Sequence, residues 1–360
     1  MNHEVYIKRC LVLAKKGLRT AMPNPSVGAV LVHRNRIIGE GCTSPYGGPH
    51  GEVNCINSVL VKDRPLIREA TLYVSLEPCS HYGKTPPCCD LIIQNEIPTI
   101  VIGTTDPHEK VAGNGIRKLQ DEGKTVIVGV LEQECRDFNR RFFTFHEQKR
   151  PYIILKWAQS ADGYLSPKNE RLATDGIESK KPIWITNSYS RQLVHKWRSE
   201  EMAIAVGTQT VIDDNPKLDV RNWTGKNPVR VVLDRNNRID THYAVKDKSI
   251  KTICLTEKTG LTNTDNLVYE TVVFDENLAK TICDVLYKHN LQSVIIEGGA
   301  KTLQTFITAT IWDEARVFKG ATFFGSGTKA PVLQAPIEST QTILTDELVY
   351  YKNKNQHTTK

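Results

Sequence analysis

Four residues carry the strongest chemical signal in this sequence of 360 residues: His50, Glu52 two positions later, Cys79, and Cys88 nine residues further on. One imidazole and two thiolates make a three-donor set for a tetrahedral cation such as zinc, and the fourth position stays open, as in catalytic rather than closed structural sites. Zinc held there can lower the pKa of a coordinated water toward about 7. Glu52 is near enough to His50 to address that position without being a ligand, which is what a proton shuttle requires. Taken singly, each residue has a blander reading, His50 as a helix cap and a lone cysteine as a small core residue; their joint spacing selects the metal. Cys89 adjoins Cys88, and neighbours on one helix point about 100° apart, so one of the two faces the metal.

The elements that must position these groups follow from periodicity. Val5, Cys10, Leu11, Ala14 and Leu18 recur at helical spacing, then come a turn at Pro23–Pro25, a strand Val27–Val32 and a second near Ile37. The pattern continues with a helix 50–60 that begins at His50, a strand 71–76, a Cys/Pro loop and a helix 88–95. Strands at 99–103 and 125–128 flank a helix 115–122, and a polar helix spans 132–149. Alternation of this kind implies an α/β layered sheet. Arg150-Pro151 breaks the pattern, which places a boundary between domains 1–149 and 150–360. The second half alternates again, with strands at 152–157, 202–206, 229–233, 293–296 and 314–318 and helices near 190–198 and 300–308. The stretch after Gly327 reads as a polar tail, and no internal repeat relates the two halves.

Composition narrows the function. Hydrophobic residues make up 39% and charged residues 24%, which is ordinary for folded chains. The net charge of +7 divides into 20 basic against 16 acidic residues up to position 150 and 27 against 24 beyond it. Neither half carries a basic stripe, so no nucleic-acid partner is expected, whereas an anionic small molecule fits. No apolar run nears the roughly 20 residues of a membrane span and no signal peptide opens the chain, so no membrane partner and a cytoplasmic location are expected. Nine cysteines in a reducing compartment read as thiols or metal ligands rather than disulfides.

The order H-x-E…P-C…C resembles the zinc nucleobase deaminases. The block from Pro78 through His81, Lys84 and Pro86-Pro87 to Cys88, with Met22-Pro23-Asn24-Pro25-x-Val27-Gly28, closely resembles the deaminase domain of the bifunctional riboflavin biosynthesis proteins. That resemblance implies zinc on His50, Cys79 and Cys88, Glu52 as the catalytic proton carrier, Asn24 against the pyrimidine, and His81 and Lys84 against its phosphoribosyl group. Gly51 replaces the family's usual Ala. Asp106-Pro107-His108-Glu109 through Gly115 resembles a further family loop, with Glu109 where Pro is typical.

In the second half no G-x-G-x-x-G follows a strand, which argues against a Rossmann dinucleotide site. Three blocks carry the signal instead: Lys156-x-Ala158-x-Ser160-x-Asp162-Gly163; the run from Val206-Gly207-Thr208 to Arg221; and Glu297-Gly298-Gly299, where a helix start favours phosphate. Together they resemble the reductase half of the same family, whose fold is like dihydrofolate reductase. The resemblance implies NADPH contacts at Ala158, Trp184, Thr210, Asp214 and Gly299, and substrate contacts at Arg198, Leu218, Arg221 and Glu297. The two arginines suit a phosphate held bidentately, and Lys156 is a candidate polar or acid group near the sugar carbonyl. Residues 165–183 fit the pattern poorly and are left unassigned.

The fold expected is therefore α/β, a cytidine-deaminase-like three-layer domain followed by a dihydrofolate-reductase-like domain. The expected activity is zinc-dependent deamination of 2,5-diamino-6-(5-phosphoribosylamino)pyrimidin-4-one and NADPH-dependent reduction of its ribosyl group, giving 5-amino-6-(5-phosphoribitylamino)uracil. A homo-oligomer is also expected. The main rival is a zinc nucleobase deaminase acting on RNA, with the reductase-like domain kept for binding or assembly.

Overall fold

The computed structural model describes residues 2–83, 86–108, 112–168 and 183–354. The chain divides into two compact units, Met1–Lys149 and Arg150–Lys360. Among the described residues no helix is long and apolar enough to cross a membrane.

The first unit runs α1 (His3–Ala14), β1 (Gly28–His33), β2 (Arg36–Cys42), α2 (Gly51–Asn57), β3 (Thr71–Val74), α3 (Cys88–Gln94), β4 (Thr99–Ile102), α4 (Asn114–Asp121), β5 (Thr125–Val128), α5 (Glu132–Phe138) and α6 (Arg140–Gln148). Its five strands lie in the order β2-β1-β3-β4-β5. The pairs β1/β2 and β1/β3 are antiparallel, and β3/β4 and β4/β5 are parallel. Strands covered on both faces read as near-continuous apolar runs, and β1 is buried at every position, with His33 its one polar residue. Ala29, Leu31, Leu72, Val74, Ile100 and Ile102 meet Cys55, Ile92 and Leu119 of α2, α3 and α4 on one face. Val30, Val32, Tyr73 and Val101 meet Ile7, Cys10, Leu13 and Cys135 of α1 and α5 on the other.

Three boundaries differ from those read in the sequence. Helix α2 stops at Asn57, where the Ser58 hydroxyl donates to the Cys55 carbonyl at 2.7 Å, and a 3₁₀ stretch containing Pro65 follows. Leu18 lies beyond the end of α1. The single polar helix expected over 132–149 is two helices broken at Asn139, whose side chain accepts from Ser26 N and donates to Ser26 O, both at 3.1 Å. The backbone at the break departs from helical angles, with φ −102° and ψ 25°, although Asn139 N still bonds Cys135 O at 3.4 Å.

The second unit runs β6 (Tyr152–Gln159), β7 (Tyr164–Pro167), α7 (Ser188–Glu200), β8 (Ala203–Gly207), α8 (Thr208–Asp214), β9 (Val229–Leu233), β10 (Thr252–Thr256), β11 (Leu267–Thr271), α9 (Leu278–Lys288), β12 (Ser293–Ile296), α10 (Ala300–Thr308), β13 (Glu314–Lys319), β14 (Gly327–Lys329), β15 (Ile337–Ile343) and β16 (Asp346–Lys352). A nine-stranded sheet has the order β11-β10-β9-β8-β12-β6-β13-β16-β15, and β7 and β14 form a separate pair. Pairing is parallel from β11 to β13 and antiparallel through β16 and β15. Helices α9 and α10 cover one face through Ile282, Leu286, Leu303 and Phe306, and α7 and α8 the other through Val194, Trp197 and Val211. The stretch read as a polar tail is part of this sheet: β16 pairs with β13 along its length and buries Leu348 and Val349.

Candidate active sites

In the first unit the sequence motif closes into one cluster. His50 is the N-cap of α2, Cys79 lies beyond the end of β3, and Cys88 opens α3. The donor atoms of these three residues all lie within 4.8 Å of one another. His50 Nδ1 stands 3.6 Å from Cys79 Sγ and 3.3 Å from Cys88 Sγ. For bonds of about 2.0–2.3 Å to a tetrahedral zinc, ligand-to-ligand edges come to roughly 3.3–3.8 Å, so the set fits that ion. Cys79 Sγ also accepts from the Cys88 amide at 3.3 Å. The Cys88 thiol and then His50 hold the Cys79 thiol down at about 4, while the bond to Cys79 and then burial push Cys88 up. His50 is raised to about 9, chiefly by its bond to Cys79. Cys89 points elsewhere: its thiol donates to the Pro78 carbonyl at 3.4 Å and the Gly115 carbonyl at 3.6 Å.

Glu52, in the first turn of α2, is only 3% exposed. Burial raises its carboxyl to about 7, against the opposing pull of His50, which is the range a proton shuttle needs near neutral pH. The glycine between the two is tightly packed: a Cβ on Gly51 would stand 2.6 Å from the Val27 carbonyl oxygen. Asn24 lies half-buried in the turn before β1. His81 is exposed, its ring stacked on His108 at 6.3 Å. Lys84 lies outside the described residues. Sequence reasoning passes over Glu77, a buried carboxylate two residues before Cys79 that accepts four backbone N–H bonds; its place directly before Pro78-Cys79 was the available signal.

In the second unit the parallel strands bring several of the named residues to their carboxyl ends, where ligands bind in open α/β sheets. Lys156 on β6 and Glu297 just after β12 lie on adjacent strands, and Arg198 reaches them from α7. Glu297 accepts from Arg198 Nη2 at 2.8 Å and Nε at 3.3 Å, with Lys156 Nζ at 3.9 Å. Burial by itself would raise the Glu297 carboxyl, but Arg198 and Lys156 outweigh it and hold it at about 2. Burial pushes Lys156 below its ordinary value against the pull of Glu297. Arg198 also donates to the Asp219 carbonyl at 3.3 Å, and the Asp219 carboxylate pairs with the exposed Arg221 at 2.5 Å. Asp219 is a link that no motif pointed to.

Gly299, at the start of α10, faces Thr210 on α8: a Cβ on it would stand 3.3 Å from Thr210 Oγ1. Asp214 ends α8 and is exposed. Ala158 lies on β6, paired with Phe318. Trp184 is 58% exposed, with the Arg191 guanidinium 4.8 Å over its ring. Leu218 has φ 53° and a side chain buried in the core with Trp197 and Val211, so contact with a ligand falls to its backbone. Asp162 closes the neighbouring loops together, accepting from Ser160 Oγ at 2.6 Å and from the Phe324 and Gly325 amides at 3.2 and 2.7 Å.

Comparison with known proteins finds relatives of both units. The model of the cytidine and deoxycytidylate deaminase zinc-binding region matches residues 1–104, and that of the RibD C-terminal domain matches residues 151–353. The riboflavin biosynthesis protein RibD of Aquifex aeolicus is 39% identical over 328 residues, covering 89% of this chain and 88% of its own. The protein of that name from Escherichia coli K12 is 32% identical, covering 91% and 89%. Among solved structures, a diaminohydroxyphosphoribosylaminopyrimidine deaminase/5-amino-6-(5-phosphoribosylamino)uracil reductase from Thermotoga maritima superposes with a TM-score of 0.84 at 35% identity, covering 97% of this chain and 98% of that one. Acinetobacter baumannii RibD gives 0.84 at 27% identity with the same coverage. The first unit thus has a cytidine-deaminase-like fold and the second a dihydrofolate-reductase-like one, and the chain belongs to the RibD family of bifunctional riboflavin biosynthesis proteins.

Proposed function

We propose that the first unit hydrolyses the ring 2-amino group of 2,5-diamino-6-(5-phosphoribosylamino)pyrimidin-4-one and that the second reduces the ribosyl group of the product to ribityl with NADPH. The carrying observation is the buried Glu52 carboxyl beside the His50, Cys79 and Cys88 donors. Zinc on those donors supplies an activated water and a Lewis acid. Glu52, poised at about 7, takes a proton at its carboxylate oxygen and delivers it to the departing ammonia. In the second unit NADPH supplies the hydride. Arg198, Arg221 and Lys156 offer cations to a phosphorylated substrate, and Glu297 holds Arg198 and Lys156 in place. With Cys79 and Cys88 as ligands, the other seven cysteines stand as thiols, which suits a reducing compartment.

The test is an assay of the purified full chain with the diaminopyrimidine phosphate, following ammonia release and NADPH loss separately, with zinc measured per chain. About one zinc is expected. Glu52→Gln keeps the size and the ligands but removes the proton carrier, so ammonia release falls at least ~10²-fold with zinc retained. Full activity in that variant would overturn the mechanism, and loss of zinc would make Glu52 structural.

A further inference from the structure

Glu77 belongs to neither the metal ligands nor the proton carrier, yet it is 4% exposed and follows β3 where the chain turns toward Cys79. Its two oxygens are shared between two separate arms of chain. Oε2 accepts from the Asp106 amide at 3.2 Å and the Gly113 amide at 3.0 Å. Oε1 accepts from the Gly115 amide at 2.9 Å and the Ile116 amide at 3.2 Å. The Glu77 amide in turn donates to the Thr104 carbonyl at 2.9 Å. The contact is close-packed from the opposite side: a Cβ on Gly115 would stand 2.2 Å from the Pro78 carbonyl oxygen and 3.1 Å from Glu77 Oε1.

The arm that Glu77 holds carries Asp106, a buried carboxylate that accepts from the His108 amide at 2.7 Å, and the His108 ring stacks at 6.3 Å on His81, in the loop between Cys79 and Cys88; burial raises the Asp106 carboxyl to about 7. The Cys79 ligand has anchors of its own, since its Sγ accepts from the Cys88 amide and its carbonyl from the Cys89 amide at 3.1 Å. Loosening Glu77 therefore frees the Asp106 arm before it frees the ligand.

We propose that Glu77 is a positioning residue of the deaminase reaction, a carboxylate clamp that fixes the arm bearing Asp106 against the Pro78-Cys79 turn so that the pyrimidine meets a preformed wall. The inference rests on the functional reading above. An acceptor-only carboxylate is required, because four donors converge on two oxygens and an amide would set its own N–H groups against two of them.

The experiment compares the metal-loaded full chain with Glu77→Gln, Asp106→Asn and the double variant, by ammonia release from the diaminopyrimidine phosphate. Glu77→Gln is expected to keep its metal and to raise KM about tenfold while kcat stays within about threefold, since a loosened wall weakens binding without touching the proton carrier. In the Asp106→Asn background the same change adds less than about twofold, because the two act through one arm. A role in folding alone would lower kcat per chain and the unfolding temperature with KM unchanged, and that result overturns the proposal, as does an effect that fully adds to that of Asp106→Asn. Should Glu77→Gln fail to fold, Gly115→Ala wedges the same contact and must raise KM likewise; an unchanged KM there also overturns it. A wild-type chain that releases no ammonia defeats the functional reading itself, and the clamp with it.

Discussion

Replacing Glu297 by Gln removes the one carboxylate shared by Arg198 and Lys156 in the second unit. In the folded chain that carboxyl is held at about 2, against an ordinary value of 4.5. At 1.36 kcal/mol per pH unit the difference amounts to about 3 kcal/mol of folding free energy. A carboxyl with a depressed folded pKa stabilises fully above its unfolded value and loses that contribution as pH falls through its folded value, here from about 4.5 to about 2. The variant also leaves two buried cations without their counter-ion, a loss of ~3–5 kcal/mol in comparable pairs. Lys156 limits it by shedding its proton more readily once Glu297 no longer holds the proton on. The expected gap between wild type and variant is thus about 3 kcal/mol near neutral pH, narrowing by about 1 kcal/mol between pH 6 and 3.5. Urea unfolding followed by tryptophan emission reads this unit alone, because Trp157, Trp184, Trp197, Trp223 and Trp312 are all the tryptophans of the chain. A gap of zero at neutral pH, or one that stays constant down to pH 3.5, would refute the reasoning.

Further outcomes separate neighbouring residues. Cys88→Ser should abolish metal binding, because its Sγ stands 3.3 Å from His50 Nδ1. Cys89→Ser, turned toward the Pro78 and Gly115 carbonyls, should retain metal and most activity in zinc analysis and ammonia release. Asp214→Ala should impair NADPH use, read as a raised NADPH KM, while ammonia release continues. Arg221→Ala should raise the KM for the deaminated substrate, since a charge-assisted phosphate contact is worth roughly 1.5–3 kcal/mol. Loss of deamination in either variant would defeat the assignment of the two reactions to separate sites.

How much of this was legible beforehand depends on how local the deciding physics is. Burial on both faces makes a strand predominantly apolar, so β1, β4, β9 and β12 could be read within a residue or two of their ends. The break at Asn139 could not be read, because the partner that holds its side chain is Ser26, more than a hundred residues earlier. Strand β15 is exposed along nearly its whole length, so no apolar alternation announced the terminal hairpin; its place was fixed by the pairing of β16 with the far edge of β13.

The site divides in the same way. The sequence by itself determined the donor types, the shuttle two residues from His50 and the family, because ligand chemistry is written in residue identity and short spacing. It also named Lys156, Arg198 and Glu297 without showing that they meet. The resemblance named Cys88 over Cys89, and the fold shows why, with the Cys89 thiol turned to the Pro78 and Gly115 carbonyls. Only the tertiary structure decided that Leu218 turns its side chain into the core and that Glu77 gathers amides from two arms of chain. Backbone N–H groups are the same at every residue, so the place of Glu77 before Pro78-Cys79 could mark the residue but not its partners, and its role exists only once the fold has brought those amides together.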